Sequence, residues 1–393
     1  MAITIPSREM NLRTAIRLII PVLYFCIFFD LFAGFFLGTY FEKMMEQYPH
    51  LLVILPGLMG LRGNVFGSLC SRLSTALYLG SSEPSFRDRF VYKNALFSIW
   101  AATLPILVLL IISYLKIGNF DAFLASAQVS ISSGILIGIL LSITSISVVI
   151  FAFKKAIDPD SVSAPIITSI ADIVTIPSLI LFIFLFESKQ ILPIFAISIT
   201  LLILLFALSL GKEYRRIQKE VILIVTVLAV VQSLTGSVLE EFSEIIYLSL
   251  FMSFAYPAIL DTLGNYGSIV VARTSTKLNL GEIEKGSIRE VLGEIKAIVP
   301  TSFFVFPFIS LIPFLLSYMV FQVFELNLVP MLIFFLSFIS MVFVFLLLSF
   351  YIAVIINRFR VDPDNGGIPL VTTIADFIAT IYAVVISLIF IYF

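Results

Sequence analysis

The sequence predicts an all-α, polytopic membrane protein of about eleven transmembrane helices, arranged as two parallel five-helix repeats plus one linking helix. Three observations predict it: an apolar composition, an internal duplication, and basic residues gathered on one side. Hydrophobic residues make up 60% of the 393-residue chain and charged residues 12%, with a mean hydropathy of +1.12. No soluble core needs so much apolar sequence. The duplication shows in DPDSVSAPIITSIADIVTI, residues 158 to 176, which recurs as DPDNGGIPLVTTIADFIAT at 362 to 380. Asp158 and Asp362, Pro165 and Pro369, Thr168 and Thr372, and Asp172 and Asp376 are each 204 residues apart, a register that marks a repeated unit.

Taken in order, the spans centre near residues 27, 64, 105, 140, 175, 201, 227, 258, 309, 340 and 380. The first apolar run, Ala15 to Tyr40, follows a polar start and is too long for a signal-peptide core, so it reads as a transmembrane helix. The sixth, roughly Ile191 to Leu210, has no counterpart in the duplication. Residues 1–188 are therefore the first repeat, 189–215 the linking helix and 216–393 the second repeat. Of the 24 Lys and Arg, Arg62 lies inside a span; with a cytoplasmic N-terminus, only Lys43, Lys116 and Lys189 fall outside and the remaining 20 fall inside. That asymmetry predicts a cytoplasmic N-terminus and an external C-terminus, in a membrane expected to be the plasma membrane. Five spans reverse the chain and the linking helix restores its direction. The repeats are then parallel, related by an axis along the membrane normal.

Each repeat places a carboxylate in an apolar helix. With a helix opening at Ser163, Asp172 lies about 13 Å in, near the middle of a roughly 30 Å hydrocarbon layer. Asp172 and Asp376 are expected to face each other across a central path. Both need a reason, because an ionised side chain at that depth costs about 2.5 to 3.5 kcal/mol. A second repeated motif supports the pairing. LPGLMGLRGNVFGSLCSRLSTALYLG, from Leu55, matches YPAILDTLGNYGSIVVARTSTKLNLG, from Tyr256, at a shift of 201. It aligns Gly63 with Gly264, Asn64 with Asn265 and Arg72 with Arg273. A Gly-Asn pair seven residues after a proline suits an opened or closely packed helix facing protein or a water-filled cavity.

PxLxGLxGN…SRLST together with DPD…P…TSIAD resembles the MgtE family of magnesium transporters and channels, most closely its two-repeat branch with the eukaryotic solute-carrier relatives. The resemblance covers nearly the whole chain. It implies a cation pore between two five-helix units, with the aspartates at positions 172 and 376 binding hydrated Mg²⁺ and Asn64 and Asn265 helping to line the site. The acidic helical and CBS domains of bacterial members have no counterpart here, since about a dozen residues precede the first span, and gating by cytoplasmic Mg²⁺ is not carried over.

The residues themselves agree. Mg²⁺ takes oxygen ligands, keeps several waters and is held by one or two carboxylates. Thr168 and Ser169, and likewise Thr372 and Thr373, lie four and three residues before the aspartates and share their helix faces, where they can bond waters of the hydrated ion. Asp158, Asp160, Asp362 and Asp364 sit at the cytoplasmic mouth and serve either to recruit cations or to cap helices. Cys26 and Cys70 read as embedded thiols, His50 as an outer-loop surface residue, Arg72 and Arg273 as interfacial anchors, and the phenylalanines as lipid-facing bulk. Asp30 reads as a bridging carboxylate as readily as a functional one. At the shift of 201, Arg62 matches Leu263 and Asp261 matches Gly60; the two unmatched charges either pair across the axis or have separate contacts.

Divalent-cation transport, with Mg²⁺ the expected cargo, is the leading reading. The alternative is a cation- or proton-coupled carrier of a small organic solute, which wants a roomier site of mixed donors. An intramembrane aspartyl protease also uses two aspartates, but neither lies in a YD or GxGD setting, so no enzyme is expected. The expected partners are the divalent cation and the bilayer, with no nucleic acid and no organic cofactor. One chain can complete the pore without an oligomer.

Overall fold

The computed structural model describes residues 12–78, 80–155, 159–209, 215–280, 288–322, 327–358 and 367–392, and among them there is no strand. The helices are α1 (Leu12–Gln47), α2 (Pro49–Tyr78), α3 (Arg89–Ala101), α4 (Leu104–Ile117), α5 (Phe120–Lys154), α6 (Pro159–Glu187) and α7 (Ile191–Ser209). The second half carries α8 (Arg215–Glu241), α9 (Ser243–Leu248), α10 (Met252–Leu280), α11 (Ile288–Ile298), α12 (Ser302–Phe321), α13 (Leu328–Arg358) and α14 (Ile368–Tyr392). Among the described residues ten spans are long and apolar enough to cross a membrane, α7 included. The crossing expected near residue 258 is α10, a helix of 29 residues that does not qualify by composition. Asp261, Thr262, Asn265 and Arg273 lower its hydropathy, and every residue from Met252 to Leu260 is buried, so protein and not lipid surrounds its first half.

The third crossing of each repeat is broken, which the single span expected near 105 did not anticipate. α3 and α4 part at Ala102 and Thr103 ahead of Pro105; α11 and α12 part at a 3-10 turn, Val299–Thr301, containing Pro300. Proline cannot donate to the helical ladder, so a carbonyl is released at each break. A threonine hydroxyl bonds one of the nearby carbonyls in both places: Thr103 donates to the Trp100 carbonyl and Thr301 to that of Ile298, each at 2.6 Å.

The helices form two compact units, residues 35–247 and residues 1–34 with 248–393. In the first, α2 packs against α4, α5, α6 and α8 around Val65, Phe66, Leu69 and Leu73. In the second, α10 packs against α12, α13 and α14, and Phe251 stacks on Phe314 with ring centroids 4.0 Å apart. Phe251, Phe254, Phe334, Phe338, Phe345 and Phe350 are fully buried, so the phenylalanines are core there as well as lipid-facing bulk such as Phe28.

The packing does not follow the boundaries of the duplication. The start of α1 groups with α10 to α14, and α8 groups with α2 to α7. Glycine makes both contacts close. A Cβ on Gly34 would collide with the backbone carbonyl of Phe254, and one on Gly236 with that of Val53. The two glycines are 202 residues apart and the two carbonyls 201, so the duplication has kept one joint twice.

Two pairs of helix ends are joined by ion pairs in the 35–247 unit. Lys43 at the end of α1 pairs with Glu187 at the end of α6, and Lys116 near the end of α4 pairs with Glu240 near the end of α8, both at 2.7 Å. His50 is not a surface residue. It lies buried in the first turn of α2, with Nδ1 3.2 Å from the Ser113 hydroxyl and Nε2 3.1 Å from the Asn119 carbonyl. Cys26 and Cys70 are buried and form no disulfide.

Candidate cation site

In the 35–247 unit, α6 opens at Pro159, four residues ahead of Ser163, and carries Thr168, Asp172 and Thr175 at a spacing that keeps them on one face. Asp172 is 6% exposed and Ser169 is buried. α2 lies directly on this face, since a Cβ on Gly63 would come within 2.8 Å of Thr168 Cγ2. The glycine of the Gly-Asn motif thus lets the second crossing seat against the threonine one turn before the aspartate. Asn64 follows it, and its Nδ2 is buried with no hydrogen-bond partner among the described residues.

Arg62, at 2% exposure, completes this side. Its Nη1 donates to Thr175 Oγ1 at 2.8 Å, and the charge of Asp172 acts on it. Thr175 in turn donates to the Ala171 carbonyl at 2.6 Å, so its oxygen is oriented to accept. Thr175 escaped the sequence reading, although it stands three residues after Asp172.

The other unit repeats the arrangement on α10 and α14. Asp376 is 8% exposed, and a Cβ on Gly264 would lie 3.7 Å from Thr372 Cγ2, the counterpart of the contact between Gly63 and Thr168. Thr372 and Thr373 donate to the Pro369 carbonyl at 3.0 and 2.8 Å. Their lone pairs are what the outward-pointing hydrogens of a hydrated cation's waters require. Asn265 Nδ2 donates to Asp261 Oδ2 at 2.6 Å, leaving its Oδ1 as an acceptor. Tyr256 and Thr380 share a hydroxyl hydrogen bond of 2.8 Å, and Thr380 donates to the Asp376 carbonyl at 2.7 Å.

This unit also has a carboxylate pair. Asp30 of α1 is fully buried, and one of its oxygens lies within 4.8 Å of one of Asp261. Two carboxylates so close in a buried setting are held together by a proton or a cation. Each unmatched charge therefore has contacts in its own unit: Arg62 with Thr175 and Asp172, Asp261 with Asn265 and Asp30. The joint glycines align Asp30 with Gln232, so the first unit lacks both members of the pair.

Some expected residues fall elsewhere. Asp158, Asp362 and Asp364 lie outside the described residues; Asp160 lies on α6, its side chain outside them. Arg72 is no simple interfacial anchor, since its Nε and a guanidinium NH₂ nitrogen donate to Asn94 Oδ1 and Ser98 Oγ of α3 at 3.2 and 3.0 Å.

Solute carrier family 41 member 3 of Mus musculus is 28% identical over 196 residues, covering 47% of this chain and 39% of its own. Solute carrier family 41 member 2 of Xenopus laevis is 25% identical over 178 residues, 43% of this chain and 32% of its own. Member 3 of Rattus norvegicus is 31% identical over 149 residues, 36% and 32% of the two chains. The matched stretch thus spans well under half the length of these curated relatives. No solved structure matches. The MgtE family profile, described as a divalent cation transporter, matches residues 55–183 and 256–386, one stretch in each repeat and together well over half of the chain. The chain belongs to the MgtE family of divalent cation transporters.

Proposed function

We propose that this chain moves Mg²⁺ across the membrane, along a path on the pseudo-twofold axis of the duplication, with Asp172 and Asp376 acting on one hydrated ion. The observation that carries the reading is a local arrangement repeated in both units: a Gly-Asn motif glycine set against the threonine four residues before an intramembrane aspartate. Two such carboxylates balance the charge of a divalent ion. Thr168, Ser169, Thr372 and Thr373 on the same helices, and Asn64 and Asn265 on the helices packed against them, offer oxygen ligands, and that donor set favours a hard, water-retaining cation over zinc or copper. Asp158, Asp160, Asp362 and Asp364 draw cations to the cytoplasmic mouth of the same path. Both aspartates come from one chain, so a second copy is not required. The basic asymmetry supports an N-terminus in the cytoplasm, and the membrane we assign is the plasma membrane.

The test is uptake of Mg²⁺ by sealed liposomes holding the purified chain, followed with an internal Mg²⁺ dye against protein-free vesicles. Uptake above that background is expected. Uptake of other divalent ions with none of Mg²⁺ would reassign the cargo, and uptake of none would sink the reading.

A further inference from the structure

Among the described residues of the 35–247 unit, Arg62 is a buried cation beside the proposed ligands that the transport reading leaves unexplained. A fixed positive charge repels the cargo, yet Arg62 is buried against α6. Three observations define its place. One guanidinium nitrogen is held by Thr175, one turn beyond Asp172 on the same helix, and the Asp172 charge acts on the group. The other, Nη2, is buried without a hydrogen-bond partner among the described residues and lies over Gly134 of α5, where a Cβ would come 3.7 Å from it. The matching position in the second repeat is Leu263, so the arginine is not something that every copy of the motif needs in order to fold.

We propose that Arg62 is a tethered counter-ion for Asp172, which neutralises that carboxylate when no divalent ion is present and weakens the hold on the ion when one is. The inference rests on the assignment of Asp172 to the ion. A guanidinium stays charged under all ordinary conditions and presents several donors, so it can stay with Thr175 while its charge still offsets the aspartate. An ion that reaches Asp172 competes with it. The consequence is a weaker site, and conduction requires that an ion can leave as well as enter. Leu263 sets no such competition in the other unit, so the two aspartates contribute unequally to affinity.

The experiment is isothermal titration of MgCl₂ into the purified full-length chain in nanodiscs, for the wild type, Arg62→Leu, Arg62→Gln and Arg62→Lys, and for Arg62→Leu combined with Asp172→Asn. Loss of one unit charge beside a partly desolvated divalent site tightens the Mg²⁺ dissociation constant by about tenfold or more in the Leu and Gln variants. Lys keeps the charge and shifts it far less. The added Asp172→Asn change cancels the gain. Affinity that is unchanged or weaker in well-folded Leu and Gln variants overturns the proposal, as does a gain that survives Asp172→Asn. Collapse of both variants while Arg62→Lys folds would make the residue structural and overturn it too. A wild type that neither binds nor moves Mg²⁺ is a different result: it removes the transport reading, whatever the arginine variants do.

Discussion

The two units answer one sequence motif with opposite charge. Around Asp172 the 35–247 unit sets a guanidinium, that of Arg62, and at the positions matching Asp261 and Asp30 it has Gly60 and the neutral Gln232. The unit that holds Asp376 has no such cation on the matching helix position, Leu263, and adds the buried Asp30 and Asp261, within 4.8 Å of each other. The scaffold beneath is the same in both, with glycine against threonine and glycine against a neighbouring backbone carbonyl. Duplication thus preserved the packing and let the electrostatics diverge. Backbone joints tolerate no added atom, whereas a charge next to a site alters affinity without altering the fold.

The largest effect that sharpens this contrast is expected at the carboxylate pair. Asp261→Asn or Asp30→Asn takes one carboxylate from the acidic unit, and where a cation bridges the pair it weakens Mg²⁺ binding by about tenfold in titration calorimetry. Gln232→Ala at the matching place changes it by less than about threefold, because no charge is lost. Equal effects would show that the two units are electrostatically alike. A second prediction concerns the shared joints. Gly34→Ala and Gly236→Ala each push a methyl into a backbone carbonyl and cost about 1 to 3 kcal/mol, seen as similar falls in Tm for the purified chain. A fall for one alone would mean that only one joint bears on stability.

The smallest effect is expected at the start of α3. Asp88 caps α3, accepting from the Phe90 and Val91 amides at 2.9 and 3.1 Å and from the Ser82 hydroxyl at 2.8 Å. Burial pushes its carboxyl up, but these bonds and the Glu83 amide outweigh that, and the group sits below its ordinary value. Its contribution is full above the ordinary aspartate range near pH 4 and is lost as the pH falls through the depressed value. Asp88→Ala should cost about 1 kcal/mol at neutral pH, and the gap from wild type should close in acid. A constant gap down to strongly acid pH would deny the cap.

The sequence made the apolar crossings and the repeated aspartates legible because each leaves a local mark: an apolar run, or a charge where apolar residues surround it. The regrouping of the first helices left none. Repeat alignment reports ancestry, and packing by Gly34 against Phe254 is decided by residues 220 positions apart. The broken third crossings had a signal in Pro105 and Pro300, but proline also occurs within intact helices here, at Pro56 and Pro257. Arg62 was visible as an unmatched charge, and its hydrogen-bond partner was not, because Thr175 resembles any other hydroxyl on an apolar helix. His50 looked external from its place between spans and proved buried because α2 begins at Pro49 and encloses it.

The most direct test of a shared ion site is Mg²⁺ flux in liposomes for Asp172→Asn, Asp376→Asn and the two together, alongside expression and monodispersity. Each single change keeps the side-chain volume and removes one of the two charges proposed to hold the ion. Each single variant is expected to lose most of the flux, at least about tenfold, and the double variant to be little worse than either, since residues acting as one unit are strongly non-additive. Near-normal flux in well-folded single variants would contradict it and leave the two aspartates as structural groups.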